Sequence, residues 1–427
     1  MKISTPVLTY ILLGVLSAFT FNVVGQLRMT DLILPALCVL FWAARGSLWL
    51  DRYDRNILLF GLLWLVGELF ADFYRGSNFL DMLRGTASIV TFILQFSALY
   101  QLAAIFQKKA GPSNLVWLLY GAALGGLLMP ILSPTPFSEM DSWKFGYGVP
   151  SAIILATLLR HMAVSPIRIR RHVATIAALA FGGMSMWLGF RSLGGAMVLA
   201  SLVCEIRFTP LGRFLSRRKT GFRPLAFAVL AGVVAYIGLA SAYGMLAESG
   251  WLGEKQKAKY EAQSAGEFGL LVGGRLDLIP AIMAIKDSPL IGYGSWAKNS
   301  SYRSYLLLAN KFGYQYEEGT LQSVFERGYE IPAHSHILQA WLWAGIPGLV
   351  FWIYLAYLVA RSSFAAYVSR SELLLPVVFL AIMALWDIAF SPFGSFLRYQ
   401  WAMRLTLFLC VLGASSRTAN RHRTREN

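Results

Sequence analysis

Charge is scarce in this chain. Only 14% of its 427 residues are Asp, Glu, Lys or Arg, against about 25% in soluble domains. Cysteine is scarcer still. Cys38, Cys204 and Cys410 each lie inside an apolar run, which excludes a disulfide framework or a zinc site by spacing. The sequence has no Walker A loop and no dinucleotide fingerprint, so nucleotide chemistry has no recognisable anchor. An Ala-x-Ala-like cleavage site is also missing after the first apolar run, so the N-terminus is expected to be a retained span rather than a signal peptide.

What the chain has is hydrocarbon. It is 56% hydrophobic with mean hydropathy +0.55. Apolar runs of about 20 residues, separated by short polar breaks, predict a polytopic helical membrane protein. Twelve spans are expected near 7–24, 31–44, 56–71, 85–106, 114–133, 148–160, 172–189, 192–206, 224–246, 335–360, 373–390 and 400–415. The fold class is therefore all-α, a transmembrane helical bundle. Residues 1–246 hold the first nine spans, 247–333 form a loop subdomain, and 334–427 hold the last three spans and a basic tail.

The net charge of +16 raises the possibility of nucleic acid, but the position of the charges argues against that partner. One set of alternate loops holds most of the basic residues, including Arg168, Arg170, Arg171, Arg213, Arg217, Arg218 and the tail from Arg417. The short loops of the other set hold only Arg28, Arg75, Arg84, Lys144, Arg191 and Arg398. This bias predicts cytoplasmic termini and places 247–333 outside, in the periplasm of a two-membrane cell. A loop of that length without structure would be unusual. A helix is expected around Leu276–Ile285, closed by Asp287-Ser-Pro289. Tyrosines such as Tyr293 and Tyr302 can stack on sugar or lie at headgroup level.

The candidate site collects on the outer side. His334 and His336 flank Ser335 at the edge of the tenth span, and a wet histidine held by a helix is suited to proton transfer at neutral pH. Two histidines at i and i+2 do not form a metal pair by themselves. With no carboxylate pair on that face, no bound metal is expected. Arg191, in Gly189-Phe-Arg-Ser-Leu-Gly-Gly195, either grips phosphate oxygens with a guanidinium fork or snorkels to lipid headgroups. Arg275 opens the expected loop helix after two glycines, as an anion ligand or a partner of Asp277. Asp387 is expected to pair with Arg398 or Arg404. Glu68 and Asp72, near the end of the third span, read as interfacial.

Gly273-Gly-Arg-Leu-Asp277, continuing to Gly294, together with His334-Ser-x-x-Leu338 and Gly345-x-x-Gly348, resembles the O-antigen ligase / O-antigen polymerase superfamily. The likeness covers about residues 180 to 360. Arg191, Arg275, His334 and Gly345 fall at the family's arginine, arginine, histidine and glycine positions. Ser335 stands where the family carries asparagine, and Trp343 where it often carries an acid. His336 is an additional candidate.

The resemblance implies a bacterial inner-membrane enzyme with a GT-C-like architecture. It implies metal-independent, inverting transfer of a glycan from an undecaprenyl diphosphate carrier to an acceptor hydroxyl, with no cofactor. The acceptor would be lipid A–core for a ligase, or the growing glycan for a polymerase. Arg191 and Arg275 would meet the charge of the leaving diphosphate, and His334 would take the acceptor proton. Arg398, Tyr293 and Tyr302 are further substrate-binding candidates. A lipid-linked oligosaccharide transporter is the non-enzymatic alternative. Against it stand the absence of detectable inverted repeats and the one-sided placement of polar candidates. Scaffolding is a further reading.

Overall fold

The computed structural model describes residues 4–23, 25–110, 112–216, 238, 241, 243–251, 253–264, 278–302 and 330–426. The fold is helical. Helix α1 (Thr5–Leu16) leads through an antiparallel hairpin, β1 (Thr20–Asn22) and β2 (Gln26–Arg28), into α2 (Met29–Arg45). Then come α3 (Arg52–Arg75), α4 (Phe79–Ala110) and α5 (Leu115–Leu132). Short α6 (Pro136–Met140) and a π-helical turn (Trp143–Tyr147) precede α7 (Gly148–Leu158), α8 (Arg160–Ala163), α9 (Arg168–Trp187), α10 (Arg191–Ile206) and α11 (Pro210–Ser216). Further along lie α12 (Glu254–Ser264), α13 (Leu278–Asp287), α14 (His336–Ala344), α15 (Ile346–Val368), α16 (Leu374–Phe390) and α17 (Ser395–Glu426).

Among the described residues, α3, α4, α5 and α15 are long and apolar enough to cross a membrane, and α1 and α16 are shorter apolar helices. Most of the ninth expected span falls outside the described residues. The hairpin at 20–28 has no counterpart in the sequence reading, because its strands are three residues each. The tenth expected span, 335–360, is two helices. Gly345 breaks it with φ 70° and ψ −151°, and Pro347 opens α15. Proline has no N–H to donate to the preceding turn, so it starts a helix more readily than it continues one.

Helix α3 shows why the bundle suits lipid. Asp51 caps it, accepting from Tyr53 N at 2.8 Å and Asp54 N at 3.0 Å. Its buried stripe is Asp54, Ile57, Gly61, Trp64, Glu68, Ala71 and Asp72, at helical spacing. Its exposed face carries Leu59, Leu62, Leu63, Val66, Phe70 and Phe73. A water-soluble helix has the reverse polarity. In hydrocarbon, apolar burial no longer drives helices together, and close packing of small residues does. Helices α1 and α5 meet in that way. A Cβ on Gly14 would collide with the Gly121 backbone, and one on Gly125 with the Gly14 carbonyl.

The deepest part of the core lies where α3, α4, α15 and α17 converge. Phe92, Phe351, Trp352 and Trp401 are fully buried there. Phe92 lies parallel to Trp352 at 6.3 Å, and Trp401 meets Trp352 edge-on at 5.1 Å. Such ring pairs add directional contact to dispersion. Trp64 and Phe393 pack against this cluster and line the cavity described next.

Candidate functional site

At one end of the bundle, a cavity of about 370 Å³ opens between α3, α4, α14, the hairpin and the start of α17. That lies at the lower end of the roughly 300–1,000 Å³ range of small-ligand pockets. Trp64 and Glu68 line it from α3, Arg84, Gly85 and Ser88 from α4, and Gln26 from the hairpin. Helix α14 contributes His336, Gln339 and Trp343. Trp296, Phe393 and Arg398 complete the wall.

The segment after α13 is stitched over this cavity. Tyr293 N donates to Leu342 O at 2.7 Å, Gly294 N to Trp343 O at 3.0 Å, and Trp341 Nε1 to Pro289 O at 2.7 Å. Arg75, at the end of α3, donates to Gly292 O at 3.2 Å and to Ser288 Oγ at 2.6 Å. Ser295 then sits between two buried carboxyl groups. Its N–H donates to Asp72 Oδ1 at 2.6 Å, and its Oγ lies 2.8 Å from both Glu68 Oε1 and Asp72 Oδ2. A hydroxyl has one proton to give, so satisfying both contacts takes a proton on one of the carboxyls. The sequence reading put Glu68 and Asp72 at the interface, but both are only 2% exposed. Their spacing from Trp64, at i+4 and i+8 on one face, was the signal available.

The two histidines part company here. His336 is fully buried. Trp401 Nε1 donates to its Nε2 at 2.8 Å, and its Nδ1 meets Ser391 O. An indole N–H only donates and a carbonyl only accepts. The ring is therefore neutral, protonated on Nδ1, and both of its nitrogens are engaged. It is also boxed by Trp352 at 4.7 Å and Phe393 at 5.4 Å. His336 anchors α14. His334 is exposed, just before Ser335, whose hydroxyl caps α14 by accepting from Leu338 N at 3.3 Å and donates to Ile388 O at 2.9 Å. His336→Phe is expected to cost about 1–3 kcal/mol for each polar partner left buried and unmet, and to lower the melting temperature of the purified protein. His334→Ala is expected to leave melting unchanged. Equal melting losses in both variants would remove the distinction.

Arg398 is only 3% exposed and is already engaged. It donates to Asp31 through Nε at 3.2 Å and Nη2 at 2.5 Å, to Gln26 O at 3.1 Å and to Ser88 Oγ at 3.3 Å. Gln95 also donates to Asp31. Asp387 pairs instead with Arg404, at 2.6 Å, which decides between its two expected partners. Arg191 opens α10, and its guanidinium lies 5.0 Å from the Tyr243 ring centre. It does not line the cavity. Arg275 lies outside the described residues.

Tyr293 and Tyr302 are bonded to each other at 2.8 Å, and Tyr302 donates to Asp287 at 2.7 Å. Arg75 stacks on the Tyr293 ring at 4.5 Å. Burial, then the bonds to Tyr293 and Asp287, hold the Tyr302 phenol above its ordinary range. Neither tyrosine lines the cavity; both brace the segment that covers it. Among the described residues, no group of three or more His, Cys, Asp or Glu could hold a metal ion. No protein-family model matches the chain, and no curated protein shows significant similarity to it.

Proposed function

We propose that this chain is a bacterial inner-membrane glycosyltransferase of the O-antigen ligase / polymerase type, with a GT-C-like bundle of about twelve spans and the 247–333 loop in the periplasm. The donor is a glycan on undecaprenyl diphosphate. The favoured acceptor is a hydroxyl of lipid A–core. In the reaction, the bond from the sugar anomeric carbon to the diphosphate oxygen breaks, and the acceptor oxygen bonds to that carbon from the opposite face. Arg191 and Arg275 meet the negative charge left on the diphosphate. His334 takes the hydroxyl proton, while His336, with both nitrogens engaged, positions the helix behind it.

The observation that carries this reading is the form of the 334–348 segment. An exposed histidine stands directly before a capped helix that borders a cavity. Ser335 caps α14 as the family's asparagine could, since Ser and Asn are both strong N-cap residues. Gly345 occupies a backbone conformation that only glycine adopts readily. Trp343, in place of the family's acid, stacks on Trp296 at 4.8 Å.

A deletion strain tests the reading. Lipopolysaccharide, secreted polysaccharide and carrier-linked glycan are resolved together on gels. Loss of capped lipopolysaccharide with full-length polymer left on the carrier is the expected result. Single repeat units with no long chains would identify a polymerase. If all three pools were unchanged, the glycosyltransferase reading would fall and the transporter reading would rise.

A further inference from the structure

Two side chains of the cavity wall each carry a buried polar atom that is poorly satisfied within the protein. Glu68 Oε2 is buried and makes no hydrogen bond of ordinary length and angle, and neither does the indole Nε1 of Trp64. The two side chains project from successive turns of α3, interact with one another, and both line the cavity. One is an acceptor and the other a donor. Ser295 engages Oε1 of Glu68, which leaves Oε2 as the carboxyl oxygen without a partner of ordinary geometry.

A hydroxyl group answers both atoms at once, accepting from the indole N–H and donating to the carboxyl oxygen. A hydrocarbon chain answers neither. A phosphate is disfavoured beside Glu68, and the cations in the wall already have carboxylate partners: Arg398 has Asp31, and Arg84 has Asp81 at 3.4 Å. Among small, aliphatic and amide residues, the wall also carries the rings of Trp296, Trp343 and Phe393. Trp296 and Trp343 lie stacked at 28°, and flat apolar faces suit the C–H faces of a sugar ring. Trp296 is held at φ 51°, in the left-handed region that bulky residues avoid. Such strain persists where surrounding contacts enforce it and clusters at ligand sites. Here Ser295 N is fixed by Asp72 on one side, and Ile331 N donates to Ala297 O at 2.8 Å on the other.

We propose that this cavity is a subsite for one neutral sugar ring, with Glu68 and Trp64 sharing one ring hydroxyl and the Trp296–Trp343 pair covering a ring face. It deepens the glycan-transfer reading and rests on it for the identity of the substrate. It adds a place where the sugar is selected, separate from the arginines assigned to the diphosphate.

The test uses the full-length protein in lipid nanodiscs and saturation-transfer NMR. The probes are neutral methyl glycosides (hexose, N-acetylhexosamine and deoxyhexose), with inorganic pyrophosphate and decanol as competitors. At least one glycoside should give a saturable signal. Its affinity should fall about tenfold in Trp64→Phe and in Glu68→Gln, as loss of one hydrogen bond implies, and further in Trp343→Leu. Trp251→Phe, at an exposed tryptophan outside the cavity, should bind as wild type. Melting curves identify variants that are folded, and Trp64→Phe keeps most of the ring packing. The subsite is overturned if no glycoside binds, if binding ignores all three cavity variants, or if decanol displaces every glycoside signal. Glycoside binding that depends on Trp64 in a protein without transfer activity would overturn the transfer reading alone. Transfer that proceeds at the wild-type rate in all three variants would overturn the subsite alone.

Discussion

Arg398→Met is expected to destabilise the protein by about 3–5 kcal/mol, the usual result of stripping one partner from a buried ion pair. Asp31 would remain, 3% exposed, with Arg28 as its one remaining cationic neighbour among the described residues. The guanidinium also ties Gln26 of the hairpin and Ser88 of α4 to α17, so its loss loosens three walls of the cavity together. Asp31→Asn combined with Arg398→Met should recover only part of the loss, because the carboxylate is gone but Arg28, buried beside it, then lacks its counter-charge. Chemical unfolding of the single and double variants in one detergent provides the check. Wild-type stability in Arg398→Met, with impaired substrate binding, would return Arg398 to the ligand role that the sequence assigns it.

Gly345→Ala is expected to disrupt the junction of α14 and α15. Side chains at positive φ with ψ near −150° cost about 1–3 kcal/mol in backbone energy alone. Here a Cβ would also collide with the Leu290 carbonyl, the atom that accepts from Ile346 N. The covering segment would have to lift, and Trp343 with it. Gly46→Ala is the mild reference. Gly46 has φ 63° and ψ 19°, the left-handed helical region, and a Cβ added there would meet nothing within 4 Å, so this variant carries a smaller backbone penalty and no collision. A melting temperature for Gly345→Ala well below that of Gly46→Ala is the expected result. Equal values would mean that neither the Gly345 backbone conformation nor the Leu290 contact carries a large cost.

Much of the architecture was legible in one dimension. Long apolar runs are local signals, and they recover α3, α4, α5, α15 and the start of α14. The expected helix around Leu276–Ile285 is matched by α13 (Leu278–Asp287). The same local view merged α14 with α15, because hydropathy does not register a break at a single residue, Gly345. It also ranked the polar residues by type and position, which favoured both histidines and several arginines and passed over Glu68, Asp72 and Trp64.

Composition and helical period were enough to establish a helical chain rich in lipid-compatible segments, because both act within each segment. Which charges meet, and which polar atoms stay unmet, emerged from the folded bundle. Asp31 and Arg398 are 367 residues apart, and Glu68 meets Ser295 across 227. The two histidines on either side of Ser335 likewise end in different surroundings, one exposed and one locked between Trp401 and Ser391. Pairings of that kind follow from how helices pack, and packing is a property of surfaces brought together in space, which no local pattern records.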